Sequence, residues 1–322
     1  MGTALRTERL SSELKYKLAE NEREVPGRWS KRGLALLVLL LIGGPTAAGQ
    51  SVQSMSSETA SRLKQKIQNG SSEEKRSALS EIRNLRSPDA SLIAVPALRD
   101  ADLMVRATAA ASVVYLPKED AARALLPVLG DKNEFVRQET AYALGRVGDA
   151  SATTNLISSM QKDKSHEVRT AAAVALGGIG DISALESLLG ILRTRPREDD
   201  EFLRRSAARS VGQIAQIIET GDPSVLTPQN HLPDKYKKLD NASTTPGGFG
   251  AAVDVLIKVL QNTAESDDSR REAAFALGAI GDEKAVPALR ALVSSNDTYM
   301  AEITREALLK IENRKNKALD KK

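Results

Sequence analysis

The chain has 322 residues, 41% of them hydrophobic but only 3% aromatic, and a formal charge of +4. An alanine- and leucine-rich composition argues against a β-sandwich, and the absence of cysteine excludes disulfides and thiolate metal sites. The positive charge sits at the two ends, leaving residues 50–312 slightly acidic, with no basic stripe to meet a phosphate backbone; nucleic acid is not an expected partner.

Residues 1–49 read as an export segment. Arg28, Lys31 and Arg32 precede the apolar run "LALLVLLLI" (Leu34–Ile42), which is followed by Gly43, Gly44, Pro45 and the small residues of "TAAGQ" (Thr46–Gln50). These are the parts of a secretory signal peptide, with cleavage near Ala48 or Gly49. Nine apolar residues fall short of the ~20 that span a bilayer. More than thirty residues come before the run, however, which also suits a start nearer Val25 or an uncleaved signal-anchor with a charged cytoplasmic stub. The expected location is the periplasm or cell envelope, with any membrane attachment made through this N-terminal anchor. Residues 50–71 are expected to supply a capping helix and a linker.

From residue 72 the chain repeats itself. "VRQETAYALGRVGDA" (Val136–Ala150) returns as "VRTAAAVALGGIGDI" (Val168–Ile182) and as "SRREAAFALGAIGDE" (Ser269–Glu283). With the Arg of "VR" as position zero, equivalent positions are Lys75, Arg106, Arg137, Arg169, Arg204, Arg270 and, approximately, Thr304. Each unit holds two helical patterns: a first helix such as "AARALLPVLGD" (Ala121–Asp131), then the quoted sentence as the second. Offsets +3, +4, +6, +7 and +8 are small or apolar in unit after unit and share one broad face. Alanine there lets neighbouring helices approach closely. Gly148, Gly180 and Gly281 stand where a helix ends in a left-handed residue, and Asp149, Asp181 and Asp282 follow as N-caps. Asp100, Asp131 and Asp163 precede Arg106, Arg137 and Arg169 by six residues each, a spacing that predicts a polar ladder between units.

Helix pairs of 31–35 residues carrying "VRxxAAxALGxxGD" resemble HEAT repeats of the short class found in phycobilisome lyases. The resemblance spans about residues 72–312 and implies an all-α solenoid of stacked antiparallel helix pairs, with second helices on the concave side. One pair cannot bury its apolar face alone, so stacking is what makes the core. A deoxyhypusine hydroxylase of this class assembles a di-iron site from several His-Glu pairs, but this chain has the single pair His166-Glu167. Bilin lyases of the class work in the cytoplasm, which the export segment contradicts. No P-loop, nucleophile elbow or H-E-x-x-H motif is present. The reading is therefore of a non-catalytic scaffold without cofactor or metal. An accessory lyase or oxidoreductase-like protein is the alternative.

Between Ile218 and Ala251 the repeat is interrupted by a Pro-, Gly- and Asn-rich stretch, expected as an inserted loop over 220–250 that is either disordered or used in binding. An accessory enzyme would have to place its active residues there. Residues 313–322 read as a basic tail. Offsets +1, +2, +5 and +9 lie opposite the buried face and should line the concave surface. The partner-binding residues expected from them are Tyr115, Tyr142, Val174 and Phe275, with a cationic cluster of Arg205, Arg209 and Arg271. The expected occupant is an extended segment of another protein.

Overall fold

The computed structural model describes residues 55–221 and 247–319; the expected export segment and the centre of the insertion (222–246) lie outside the described residues. Fourteen α-helices and no strand occur among the described residues. They form seven consecutive pairs: α1 (Ser57–Asn69) with α2 (Ser72–Leu85), α3 (Pro88–Ala94) with α4 (Leu103–Ser112), α5 (Lys118–Leu125) with α6 (Glu134–Val147), and α7 (Thr153–Lys162) with α8 (His166–Ile179). Then follow α9 (Leu185–Arg193) with α10 (Glu201–Thr220), α11 (Gly250–Gln261) with α12 (Asp267–Ile280), and α13 (Val286–Arg290) with α14 (Thr298–Leu319). Each even-numbered helix packs on its own partner and on the even-numbered helices of adjacent pairs. The result is an α-solenoid of two layers.

The local signals explain where each helix begins and ends. The side chains of Ser71, Asp102, Asn133, Ser165 and Ser266 accept first-turn N–H groups of α2, α4, α6, α8 and α12. At the other end Gly148, Gly180 and Gly281 take φ of +68°, +76° and +76°, a region where a Cβ is strained. Asp149, Asp181 and Asp282 then cap the 3-10 turn that opens the next unit. Pro127 lacks the N–H that an α-helix interior needs, so the first helix "AARALLPVLGD" ends as a 3-10 turn over Leu126–Gly130.

Three boundaries differ from expectation. α1 is no separate cap but the first helix of a full pair, packed on α2 and α3. Position zero lies four residues past each N-cap, and Asp297 caps α14 by accepting from Met300 N–H, so the last unit's position zero is Ala301 rather than Thr304. The expected basic tail is helical as far as Leu319. Arg314 in it is buried, pairs with Glu219 and donates to the carbonyl of Ile280.

Glycine at offset +8 sets the spacing of the second helices. A Cβ on Gly145 would stand 2.6 Å from Cα of Ala175, one on Gly212 2.8 Å from Cα of Ala276, and one on Gly278 2.7 Å from Cα of Ala307. The glycine at offset +8 is therefore a backbone-to-backbone contact between α6 and α8, α10 and α12, and α12 and α14, whereas Gly177 of α8 makes room for the side chains of Ser210 and Gln213 of α10. Gly130 and Gly190, by contrast, face open space in the first-helix layer, whose members touch one another sparsely. A stack with one layer more closely spaced bends toward that layer, which puts the second helices on the inner side.

α10 runs for twenty residues where α6, α8 and α12 run for fourteen. Its extra turns are held on both sides. Ile217 lies over Gly180, and Glu219 pairs with Arg314. The insertion thus leaves from a fixed helix end, and the chain re-enters the core at Phe249, which is 1% exposed.

Candidate functional site

Two surfaces carry the residues singled out by the repeat: the edge where first helices turn into second helices, and the inner face of the second-helix layer. On the edge, position zero of one unit reaches the acid of the next. Lys75 Nζ lies 2.6 Å from Asp100, Arg106 Nε 2.7 Å from Asp131, and Arg137 Nε 2.7 Å from Asp163. Each arginine of the latter two pairs makes a second bond to its acid with Nη2, and Nη1 donates to a carbonyl in its own turn, Asp100 or Asp131, at 2.9 Å. Arg169 is the weak rung, 3.8 Å from Asp200, because the α9–α10 connection is longer and carries the acid away. Arg204 meets Glu265 across the insertion, with both side chains 1–2% exposed. In the last step Arg271, not Arg270, reaches Asp297 at 2.8 Å.

These carboxylates are tuned for folding. At Asp131, burial works to raise the pKa, but the hydrogen bonds from Arg106 and from the Asn133 N–H outweigh it and hold the carboxyl below its ordinary range. Asp100 and Asp163 are held low in the same way. A depressed folded-state pKa adds stability that is complete above the unfolded Asp value of about 3.9 and disappears as pH falls through the lower folded value. Thermal melts from pH 7 down to pH 2.5 should accordingly show wild type more stable than Asp131→Asn at neutral pH, with the gap closing below about pH 4. A gap that stays constant over that range would mean the carboxylate charge is irrelevant to the rung.

The inner face divides into two halves. Over α4, α6 and α8, Tyr115 and Tyr142 are half-buried and Val174 is 39% exposed. The guanidinium of Arg146 lies 6.0 Å from the Tyr115 ring centroid, and its Nη2 is 3.5 Å from the hydroxyl. Burial pushes the Tyr142 hydroxyl pKa up. Over α10 and α12 the expectation fails. Phe275 is 3% exposed, its ring filling the space that a side chain on Gly212 would take. Arg209 covers it, 5.3 Å from the ring centroid. Nor are Arg205, Arg209 and Arg271 a free cationic cluster. Arg205 pairs with Asp268 at 2.9 Å, Arg209 with Glu272 at 3.0 Å, and Arg271 with both Asp268 and Asp297.

Sequence reasoning passed over Glu139, at offset +2 on α6. Its carboxylate is half-buried beside Tyr142. Burial raises its pKa, while Arg83 and Arg146 act on it through space and pull the other way. Among the described residues it makes no hydrogen bond or ion pair. The signal available was its offset, the same as that of Glu272. His166 is exposed at the start of α8, next to Glu167, whose carboxylate accepts from Ser165 at 2.7 Å. Among the described residues no three His, Asp or Glu side chains converge as metal ligands would.

A family model of HEAT repeats matches residues 93–177, 122–212 and 247–321. No curated protein matches the sequence. Among solved structures, an engineered protein shares 20% identity over 83% of this chain and 72% of its own, with a TM-score of 0.48. The complex of CpcE and CpcF of phycocyanin lyase from Nostoc sp. PCC7120 shares 19% over 86% and 99%, with a TM-score of 0.44. Human deoxyhypusine hydroxylase shares 18% over 88% and 90%, with a TM-score of 0.35.

Proposed function

The chain belongs to the HEAT-repeat family, and from that premise we propose that it is a non-catalytic scaffold which binds an extended segment of another protein along the inner face of α4, α6 and α8. The observation that carries this reading is the contrast between the two halves of that face. Over α10 and α12 the aromatic ring is buried and every arginine of the cluster has a carboxylate partner. Over α4–α8 Tyr115 and Tyr142 stay partly accessible and Val174 is exposed, and Glu139 beside Tyr142 makes no hydrogen bond or ion pair among the described residues. Partly exposed aromatics beside charged groups are the material of interface hot spots. Export is part of the proposal and rests on the basic flank, the Leu34–Ile42 run and the small residues up to Gln50.

A photo-reactive phenylalanine analogue in place of Val174, expressed in the native host, should capture a discrete partner, whereas the same analogue in place of Asn155, exposed on the first-helix layer, should not. Val174→Gln should weaken the association of that partner about tenfold and leave the melting temperature nearly unchanged, since exposed substitutions cost little. Equal capture from both positions, or undiminished association of Val174→Gln, would discard the groove.

A further inference from the structure

The groove over α4, α6 and α8 has a chemistry of its own, and the pairing pattern reveals it. Where acids sit on the inner face over α12, they are already matched: Glu272 accepts two bonds from Arg209 at 3.0 and 3.2 Å, and Asp268 holds Arg205 and Arg271. Glu139 occupies the same offset as Glu272 but has no such partner among the described residues. Arg83 of α2 and Arg146 of α6 influence it without reaching it with a hydrogen bond. Arg146 lies instead over Tyr115, 6.0 Å from the ring centroid.

A carboxylate is an acceptor with no donor of its own. Partial burial makes the charge of Glu139 harder to hold, and a group that brings N–H donors and positive charge offsets that effect. Tyr142, one helical turn along, offers a ring against which a cationic side chain can lie. Val174, exposed on the next second helix α8, offers apolar surface on the same inner face. The surrounding chain, residues 50–312, carries a slight acidic excess.

Resting on the groove reading above, we propose that Glu139 is the specificity residue of this surface and takes a Lys or Arg side chain of an extended partner segment, whose adjacent apolar residue rests on Val174. The incoming cation makes direct hydrogen bonds that neither Arg83 nor Arg146 makes. Those two arginines in turn disfavour a second cation nearby, so the segment has one basic position rather than a basic run.

The test uses the full chain and a phage-displayed library of random dodecapeptides. Enriched sequences should share one Lys or Arg next to an apolar residue. A fluorescein-labelled peptide of that consensus should bind Glu139→Gln at least tenfold more weakly than wild type, the effect expected for one charge-assisted bond. Replacing the peptide's basic residue with norleucine should cost the same factor, and combining the two changes should cost little more. A consensus without a basic position, one with an acidic position whose binding is lost in Arg83→Gln, or equal affinity for Glu139→Gln would overturn the assignment. If binding falls with Val174→Gln but not with Glu139→Gln, the assignment alone fails and the groove stands. If Val174→Gln has no effect, or no sequence is enriched, both fall. Circular dichroism of Glu139→Gln distinguishes a lost contact from a lost fold.

Discussion

Arg204→Ala should destabilise the array by about 3–5 kcal/mol, the cost of removing one member of a fully buried ion pair. Arg204 is 1% exposed and Glu265 2%. Besides its two bonds to Glu265, the guanidinium donates to the carbonyls of Ile191 at 2.8 Å and of Leu192 and Thr194 at 3.0 Å, and to the Thr194 hydroxyl at 3.0 Å. Alanine leaves a charged carboxylate and three carbonyls without these donors in a place water hardly reaches. The loss falls where the chain is interrupted, because this pair joins α10 to the α11–α12 turn across the insertion. In a solenoid each unit is stabilised by its nearest neighbours, so the damage should be local. Hydrogen exchange should show α11–α14 opening early while α4–α8 keep their protection. Arg204→Met with Glu265→Met removes both charges together and should recover at least half of the loss. A uniform loss of protection, or a cost below about 1 kcal/mol, would show that the pair does not hold the two halves of the array together.

The same rung shows what a repeat makes legible and where it stops. A period of 31–35 residues reveals helix pairs, caps and the arginine at position zero because all of these depend on residues close in sequence. Glu265 could not be found that way. It lies sixty-one residues from its partner and one residue before its helix cap, whereas the acids at 131 and 163 lie two before theirs. Phe275 fails for a related reason. It shares offset +5 with Tyr142 and Val174, so periodicity assigns all three to the inner face. Whether the side chain is open is decided by the neighbouring helix, where Gly212 makes room for the ring and Arg209 closes over it. Arg205, Arg209 and Arg271 likewise show their sign in sequence, but their neutralising acids stand on α12 and at the cap of α14, at positions whose partners the spacing does not reveal. The last unit lacks both the arginine at position zero and the Gly-Asp ending, which is why its register slipped by three residues.

The glycine contacts lead to the second large effect, and here the sign is the test. In a helix interior Gly→Ala ordinarily stabilises by up to about 1 kcal/mol, because alanine surrenders less backbone entropy. Gly190 in α9 faces open space, so Gly190→Ala should show that gain. Gly145→Ala should do the reverse and cost about 1–3 kcal/mol, in the range of overpacked cores. Its new Cβ would meet Cα of Ala175 at 2.6 Å and Cβ of Ala175 at 2.9 Å, and a backbone atom cannot rotate away as a side chain would. The helices must separate, and α6 and α8 carry Tyr142 and Glu139 on one side and Val174 on the other. Urea denaturation of the two single variants reads the sign directly, and equal stabilisation by both would refute the close approach. Widening the distance between α6 and α8 should also loosen a ligand that touches both Glu139 and Val174, although Gly145 is turned toward α8 and not into the groove. A Gly145→Ala protein that keeps its fold but binds the dodecapeptide less tightly would tie the spacing set by glycine to the shape of the surface it supports.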